Sequence, residues 1–359
     1  MRSTLFHLPS RFIVGGESVP LFGWGALIVV WAVVAAVAIA WTARRDGWRN
    51  AARSLAAPMA VVGGMILWVL PALDDGQGVP VRGYGVMLLA AAAAGTWLSV
   101  ARGRRAGFDA DTILSLATVV FLWGLVGARL FFVIEYREQF FREGMSLVDS
   151  LRAIANISAG GLVVFGSLPT AGLAAWIFAR RRSLNFLRLL DCVAPGLLVG
   201  LALGRIGCFL NGCCYGGPCD LPWAVRFPPE SPPWLDQAAR GLVPAAGDGA
   251  AVWSLPVHPA QLYAAIDAGL LAALAAAWTP LARRDGEVFA IVLTIHPLAR
   301  ILLELIRVDE QPALGTPLSI SQLVSLVLLV AAALLWGAIL RSPPQRDRST
   351  TPHPPETTA

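Results

Sequence analysis

The chain has 359 residues, of which 56% are hydrophobic and 14% charged, with a mean hydropathy of +0.64. Soluble globular domains do not carry that balance, so the class is integral membrane protein. The formal charge of +5 rests on arginine alone, with no lysine in the chain, and reads as codon bias rather than as a nucleic-acid surface.

A helix needs roughly 20 residues to cross about 30 Å of hydrocarbon. In chain order, nine runs are read as spans: 21–43, 55–72, 83–101, 112–134, 160–179, 189–209, 261–281, 287–306 and 318–340. The second is short and glycine-bearing, the weakest of the set. Runs of this length exclude a transmembrane β-barrel, so the expected fold is an all-α polytopic bundle of about nine helices. Residues 1–78 provide two helices ahead of a seven-helix core at 79–341, and 342–359 is a polar, proline-rich tail expected to be disordered. With nine spans, sixteen arginines fall on one side, among them Arg44, Arg102, Arg180, Arg283 and Arg341, against nine in the opposite loops. The positive-inside rule then puts the N-terminus outside and the C-terminus in the cytoplasm. The first span is too long, and too arginine-flanked on its far side, for a cleaved signal peptide. Loop 210–260 is rich in proline and holds Trp223, Trp234 and Trp253. It is expected to form a small extracytoplasmic cap without regular helix, its tryptophans at the membrane interface.

An ionisable side chain inside a span costs about 2.5–3.5 kcal/mol even on lenient insertion scales, so each needs a reason. Arg129, Glu135 and Arg307 lie near the external ends of their helices, where snorkelling and a functional role stay open as evenly matched readings. Asp191 stands among arginines and reads as an anchor, and Asp267 as a partner for an arginine. Arg205 and Arg300 lie deeper in apolar runs. Arg300, Glu304 and Arg307 are spaced i, i+4, i+7 and share one helical face, which His296 extends by another turn. Two readings stay open: structural ion pairs, or a clamp in which guanidinium forks meet phosphate oxygens.

Cys208, Cys213, Cys214 and Cys219 fall within twelve residues at an external helix end. Outside the cytoplasm the bland expectation is a disulfide from Cys213 or Cys214 to Cys219. Zinc is the weaker reading, because no CxxC is present and only His258 is nearby. Cys208 reads as packing, and the glycines at 204, 207, 212, 216 and 217 permit close approach and a sharp helix exit.

Six ordered motifs complete the pattern: YGVM at 84–87, GARLFFVI at 127–134, GGLVVFGSLPTAG at 160–172, GRIGCFLNGCCYG at 204–216, HPAQLY at 258–263 and LARILLELIR at 298–307, with ISQ at 320–322 closing the chain of matches. From about residue 80 to 340 they resemble the prolipoprotein diacylglyceryl transferase family. The resemblance implies transfer of the diacylglyceryl group of phosphatidylglycerol to the lipobox cysteine of a prolipoprotein signal peptide, with glycerol-1-phosphate leaving. It implies a monomeric enzyme of the bacterial inner membrane that uses no cofactor and no metal. By motif position, Arg205 and Arg300 carry over as headgroup-binding and catalytic arginines, Tyr84 as a headgroup contact, and Glu304 as the acid that holds the arginines. Asn211, Gly216, Arg307, His258 and Gln261 complete the implied phosphatidylglycerol site.

Three positions depart from the family pattern. Phe165 stands where the family has a histidine, Cys208 where it has asparagine, and Cys213 where it has glutamate. Phe165 cannot accept a proton. Either the two arginines lower the thiol's pKa unaided, or His296 takes the role, or the chain is not a transferase. The rivals are a non-enzymatic lipid-binding relative and an extracytoplasmic thiol oxidoreductase.

Overall fold

The computed structural model describes residues 4–14, 17–141, 146–156, 161, 163–244, 252–308, 312–313 and 315–344. The tail from 345 onward, expected to be disordered, lies outside the described residues. The chain divides into two compact units, Met1–Val86 and Met87–Ala359.

The first unit holds two antiparallel ribbons that the search for long apolar runs passed over. Strand β1 (Thr4–Leu8) pairs with β4 (Val79–Arg82), and β2 (Arg11–Val14) with β3 (Glu17–Pro20). Each is a short run with β-branched residues, which suits a pleated ribbon and is far too short to span a bilayer. Helices α1 (Ala26–Asp46) and α2 (Trp48–Gly64) pack together. Past Gly64 the helix widens into a π-turn at Met65–Val69 before ending as α3 (Leu70–Ala72). The cause is local. Leu70 N–H reaches back to Met65 O, and Pro71 has no N–H to offer the next carbonyl. Gly23 N–H supplies it instead, 2.9 Å from Ile66 O.

Helix α4 (Gly83–Arg105) begins in the first unit and continues into the second. There follow α5 (Ala110–Glu135), α6 (Arg137–Phe140), α7 (Leu147–Ala155), α8 (Val164–Arg181), α9 (Phe186–Asn211), α10 (Pro232–Ala239), α11 (Ala260–Trp278), α12 (Glu287–Glu304) and α13 (Ile320–Arg341). The tightest pairings are α5 with α8, α9 with α11, and α12 with α13. Small residues set the first: a Cβ on Gly127 would stand 2.4 Å from Gly166 O, so only glycine lets those backbones touch. Buried Ile113, Leu116, Phe178 and Leu189 form one apolar cluster, and Leu198, Leu271, Ala275 and Val288 another. On the outside of α13, Val327, Val330 and Leu334 are 68%, 61% and 71% exposed, the signature of a lipid-facing surface.

The chain is a mostly helical, multi-pass membrane protein. Among the described residues seven helices are long and apolar enough to cross a membrane: α1, the α2–α3 run, α4, α5, α9, α11 and α13. All nine expected runs are helical, but α8 and α12 are not among the seven. Each has 18 residues, and α12 carries Glu287, Arg300 and Glu304 in that length. Two expectations about the cap change. It contains a regular helix, α10, started by Pro232 and Pro233 in its first turn. Trp234 is 4% exposed and donates to Val252 O at 2.8 Å, so it builds the cap's interior rather than sitting at an interface.

The buried carboxylate Asp191 decides how α9 meets α12. It accepts from Gly286 N–H at 2.7 Å and Phe289 N–H at 2.8 Å, filling the donors that the start of α12 leaves open. A negative charge there also complements the positive end of the helix dipole.

Candidate active site

Helix α9 carries Arg205 and ends three residues after Cys208. Gly212, at φ 76°, stops it in the left-handed conformation. Cys213 N–H reaches Cys208 O at 3.2 Å and Gly212 N–H reaches Phe209 O at 3.2 Å, the hydrogen-bond pair of a Schellman ending. That reversal folds the chain back over its own last turn. The Sγ atoms of Cys208, Cys213 and Cys214 consequently lie within 4.8 Å of one another. Cys214 itself sits at φ 60°, a conformation that L-residues adopt only when their surroundings hold them there.

What holds the turn is spread over two other helices. Gln261, 1% exposed at the start of α11, donates from Nε2 to Cys213 O at 2.7 Å. Gly216 N–H reaches His258 O at 3.0 Å, and Gly217 N–H reaches Ile306 O at 2.8 Å. Gly216 also bridges to Arg307. A Cβ at position 216 would stand 2.6 Å from His258 Cβ, so the three strands of chain close only around glycine. Beneath them Tyr215, Phe227 and Val257 form a small apolar core with Phe209 packed against it.

On α12 the expected row is present. Arg300 Nη1 stands 2.7 Å from Glu304 Oε2, and Arg307 Nη1 stands 3.6 Å from the same oxygen. Glu304 is buried and the two arginine side chains are largely enclosed, at 15%, 4% and 6% side-chain exposure for Arg300, Glu304 and Arg307. Arg307 is thus not a snorkelling residue, one of the two readings open from its place near the helix end, but an enclosed member of the row. Arg300 also donates to Ser321 Oγ at 2.7 Å. Ser321 was legible only as part of ISQ, and its role as a buried arginine partner was missed.

Asp267 pairs with His296 rather than with an arginine, its Oδ2 3.8 Å from His296 Nδ1. Arg129 does not snorkel either: it is 7% exposed and donates to the carbonyls of Ala153, Ile154, Asn156 and Gly161 at 2.8–3.0 Å. His258 approaches Tyr263 Oη at 3.4 Å, and Trp223 Nε1 donates to that same oxygen at 2.7 Å. Asn211 is exposed at the helix end, beside the Cys213 thiol. Tyr84 lies in the first unit at the start of α4, 39% exposed.

The expected disulfide to Cys219 is not formed. All five cysteines are free thiols, because the helix reversal turns Cys213 and Cys214 toward Cys208. The Cys214 thiol is drawn below the usual thiol range. Hydrogen bonds from Cys208 and then Cys213 contribute most, and the charges of Arg307 and Arg205 add to them against the opposing effect of burial. The arginines flanking this thiol are therefore Arg205 and Arg307. Among the described residues, Arg300 and Arg307 share the carboxylate of Glu304.

A multi-pass helical protein with a largely enclosed cationic row beside a thiol turn is the class these features define. The family model for prolipoprotein diacylglyceryl transferase matches residues 71–338. The chain belongs to that family. It is 39% identical over 250 residues to a phosphatidylglycerol–prolipoprotein diacylglyceryl transferase of Rhodopirellula baltica, covering 67% of this chain and 50% of that protein. The chain thus spans about half the length of that relative. Similarly named proteins match over nearly their whole length: Clostridium tetani, 27% identical over 74% of this chain and 96% of the relative, and Dehalococcoides mccartyi strain BAV1, 31% over 75% and 94%.

Proposed function

We propose that the chain is a phosphatidylglycerol–prolipoprotein diacylglyceryl transferase, a monomer of the bacterial inner membrane with its N-terminus outside. The sulfur of a lipobox cysteine attacks the terminal glyceryl carbon of the diacylglyceryl group. The carbon–oxygen bond to phosphate breaks with its electron pair on oxygen, a thioether forms, and glycerol-1-phosphate leaves.

The observation that carries this reading is the row at the end of α12, in which the largely enclosed guanidiniums of Arg300 and Arg307 both lie against the carboxylate of Glu304. Fixed cations in a poorly hydrated site stabilise the charge that develops on a leaving phosphate, and the arginine fork matches its oxygens. Arg205 and Arg300 hold the headgroup, with Asn211 and Arg307 around it. Glu304 holds the arginines, while Gly216, His258 and Gln261 support the turn behind them. His296, whose Nδ1 lies 3.8 Å from Asp267, receives the thiol proton that Phe165 cannot take.

The test is lipidation of a lipobox peptide in phosphatidylglycerol vesicles. Wild type forms the thioether and Arg205→Ala does not; activity surviving in Arg205→Ala would defeat the headgroup clamp. Phe165→His should restore His296→Ala, and full activity of His296→Ala alone removes that histidine from the reaction.

A further inference from the structure

A thiol is a poor nucleophile until it loses its proton, and three other thiols stand at the mouth of this site. Three sulfurs on a tetrahedral zinc, each about 2.3 Å from the metal, would be roughly 3.8 Å apart. Those of Cys208, Cys213 and Cys214 are already within 4.8 Å, and all three residues are half-buried. Among the described residues no fourth histidine or carboxylate atom joins them. The fold also bears the marks of a built site: a strained Cys214, a Schellman reversal that stacks the thiols, and a buried Gln261 clamping the Cys213 carbonyl. Support of that kind around ligands is what fixes a metal site's geometry. Arg205 and Arg307, which act on Cys214, offset the negative charge that three thiolates leave on a divalent ion.

We propose that Cys208, Cys213 and Cys214 bind a zinc ion whose open fourth position takes the incoming lipobox cysteine. The proposal rests on the transferase reading above. Zinc with three protein ligands keeps one position for water or substrate. The substrate sulfur displaces that water and gives up its proton to solvent or to His296. As a zinc-bound thiolate it attacks the glyceryl carbon and the carbon–oxygen bond to phosphate breaks. The product thioether, neutral and a weak ligand, leaves the metal. Zinc stays divalent throughout, so no oxidant or reductant is needed. This accounts for cysteines at two signature positions and for a phenylalanine at a third.

The test uses the full chain purified in detergent under reducing conditions. Elemental analysis should find about one zinc per chain, retained in Cys219→Ser and lost in Cys208→Ser and Cys214→Ser. Cobalt replacing the zinc should give a thiolate charge-transfer band that shifts when a lipobox peptide is added, but not when serine replaces the peptide's cysteine. Removing the metal with a chelator should lower lipidation at least tenfold, and zinc should restore it. These readouts on the wild-type chain do not depend on the variants folding. A chain that lipidates peptide with no metal, and takes up none, overturns the zinc site and leaves the transferase reading standing. A chain that binds zinc in the three thiols yet lipidates nothing overturns the transferase reading, and with it the role of the fourth position.

Discussion

Arg129, buried, and Arg300, largely enclosed, are both guanidiniums in apolar helices, and they are used in opposite ways. Arg129 directs its donors at four backbone carbonyls of the chain that follows α5 and lies against the rings of Phe132 and Phe140. Its charge is dispersed over neutral dipoles and aromatic faces, and it stabilises a loop. Arg300 instead meets an acid and a hydroxyl, and the acid is shared with Arg307. There the charges are concentrated and only partly balanced. Depth in the membrane does not separate architecture from chemistry; the partners do.

The sharpest break in this comparison is removal of Arg300. Arg300→Ala should cut the lipidation rate by at least about a hundredfold, the scale of losing one preorganised cation at a developing charge. Arg300→Lys should recover only part, because an ammonium lacks the planar fork. Initial rates on the lipobox peptide measure both. Next, Glu304→Gln leaves two largely enclosed guanidiniums without their carboxylate and should lower stability by about 3 kcal/mol, read from thermal unfolding in detergent, with a fall in rate beyond the loss of folded protein. Arg129→Ala should be a stability variant only. Four partly buried carbonyls lose donors, costing about 2–3 kcal/mol in all, while the rate per folded molecule holds; a specific loss of rate would erase the distinction drawn here. Smallest is Asp191→Asn, which keeps one of the two acceptor oxygens, sets an amide NH2 against the other backbone N–H and loses the charge facing the start of α12, costing about 2 kcal/mol in unfolding.

Helices were legible because membrane spans are written as composition: all nine expected runs are helical, with ends shifted by a few residues. What escaped was short or relational. The ribbons of the first unit are four or five residues long and leave no trace in a hydropathy window. The row Arg300, Glu304, Arg307 was readable because helical spacing alone makes neighbours of those residues. Ser321 and the pairing of Asp267 with His296 join different helices, and spacing says nothing about which faces meet. The thiols show the limit most clearly. Separated in sequence as C-x4-C-C, they match no familiar ligand spacing, and only the left-handed Gly212 turns Cys213 and Cys214 back onto Cys208.

The tie between Asp191 and the start of α12 has a consequence for traffic. Helix α9 bears Arg205 and the thiol turn, and α12 bears Arg300 and Glu304. Their far ends are fastened by Asp191, and their near ends by the Gly217–Ile306 hydrogen bond and the Gly216–Arg307 bridge. A doorway that opened by parting these two helices would have to break both fastenings on every turnover. The seam between α9 and α12 is therefore pinned at both ends, and on the transferase reading proposed above a lipid would enter and leave without parting it.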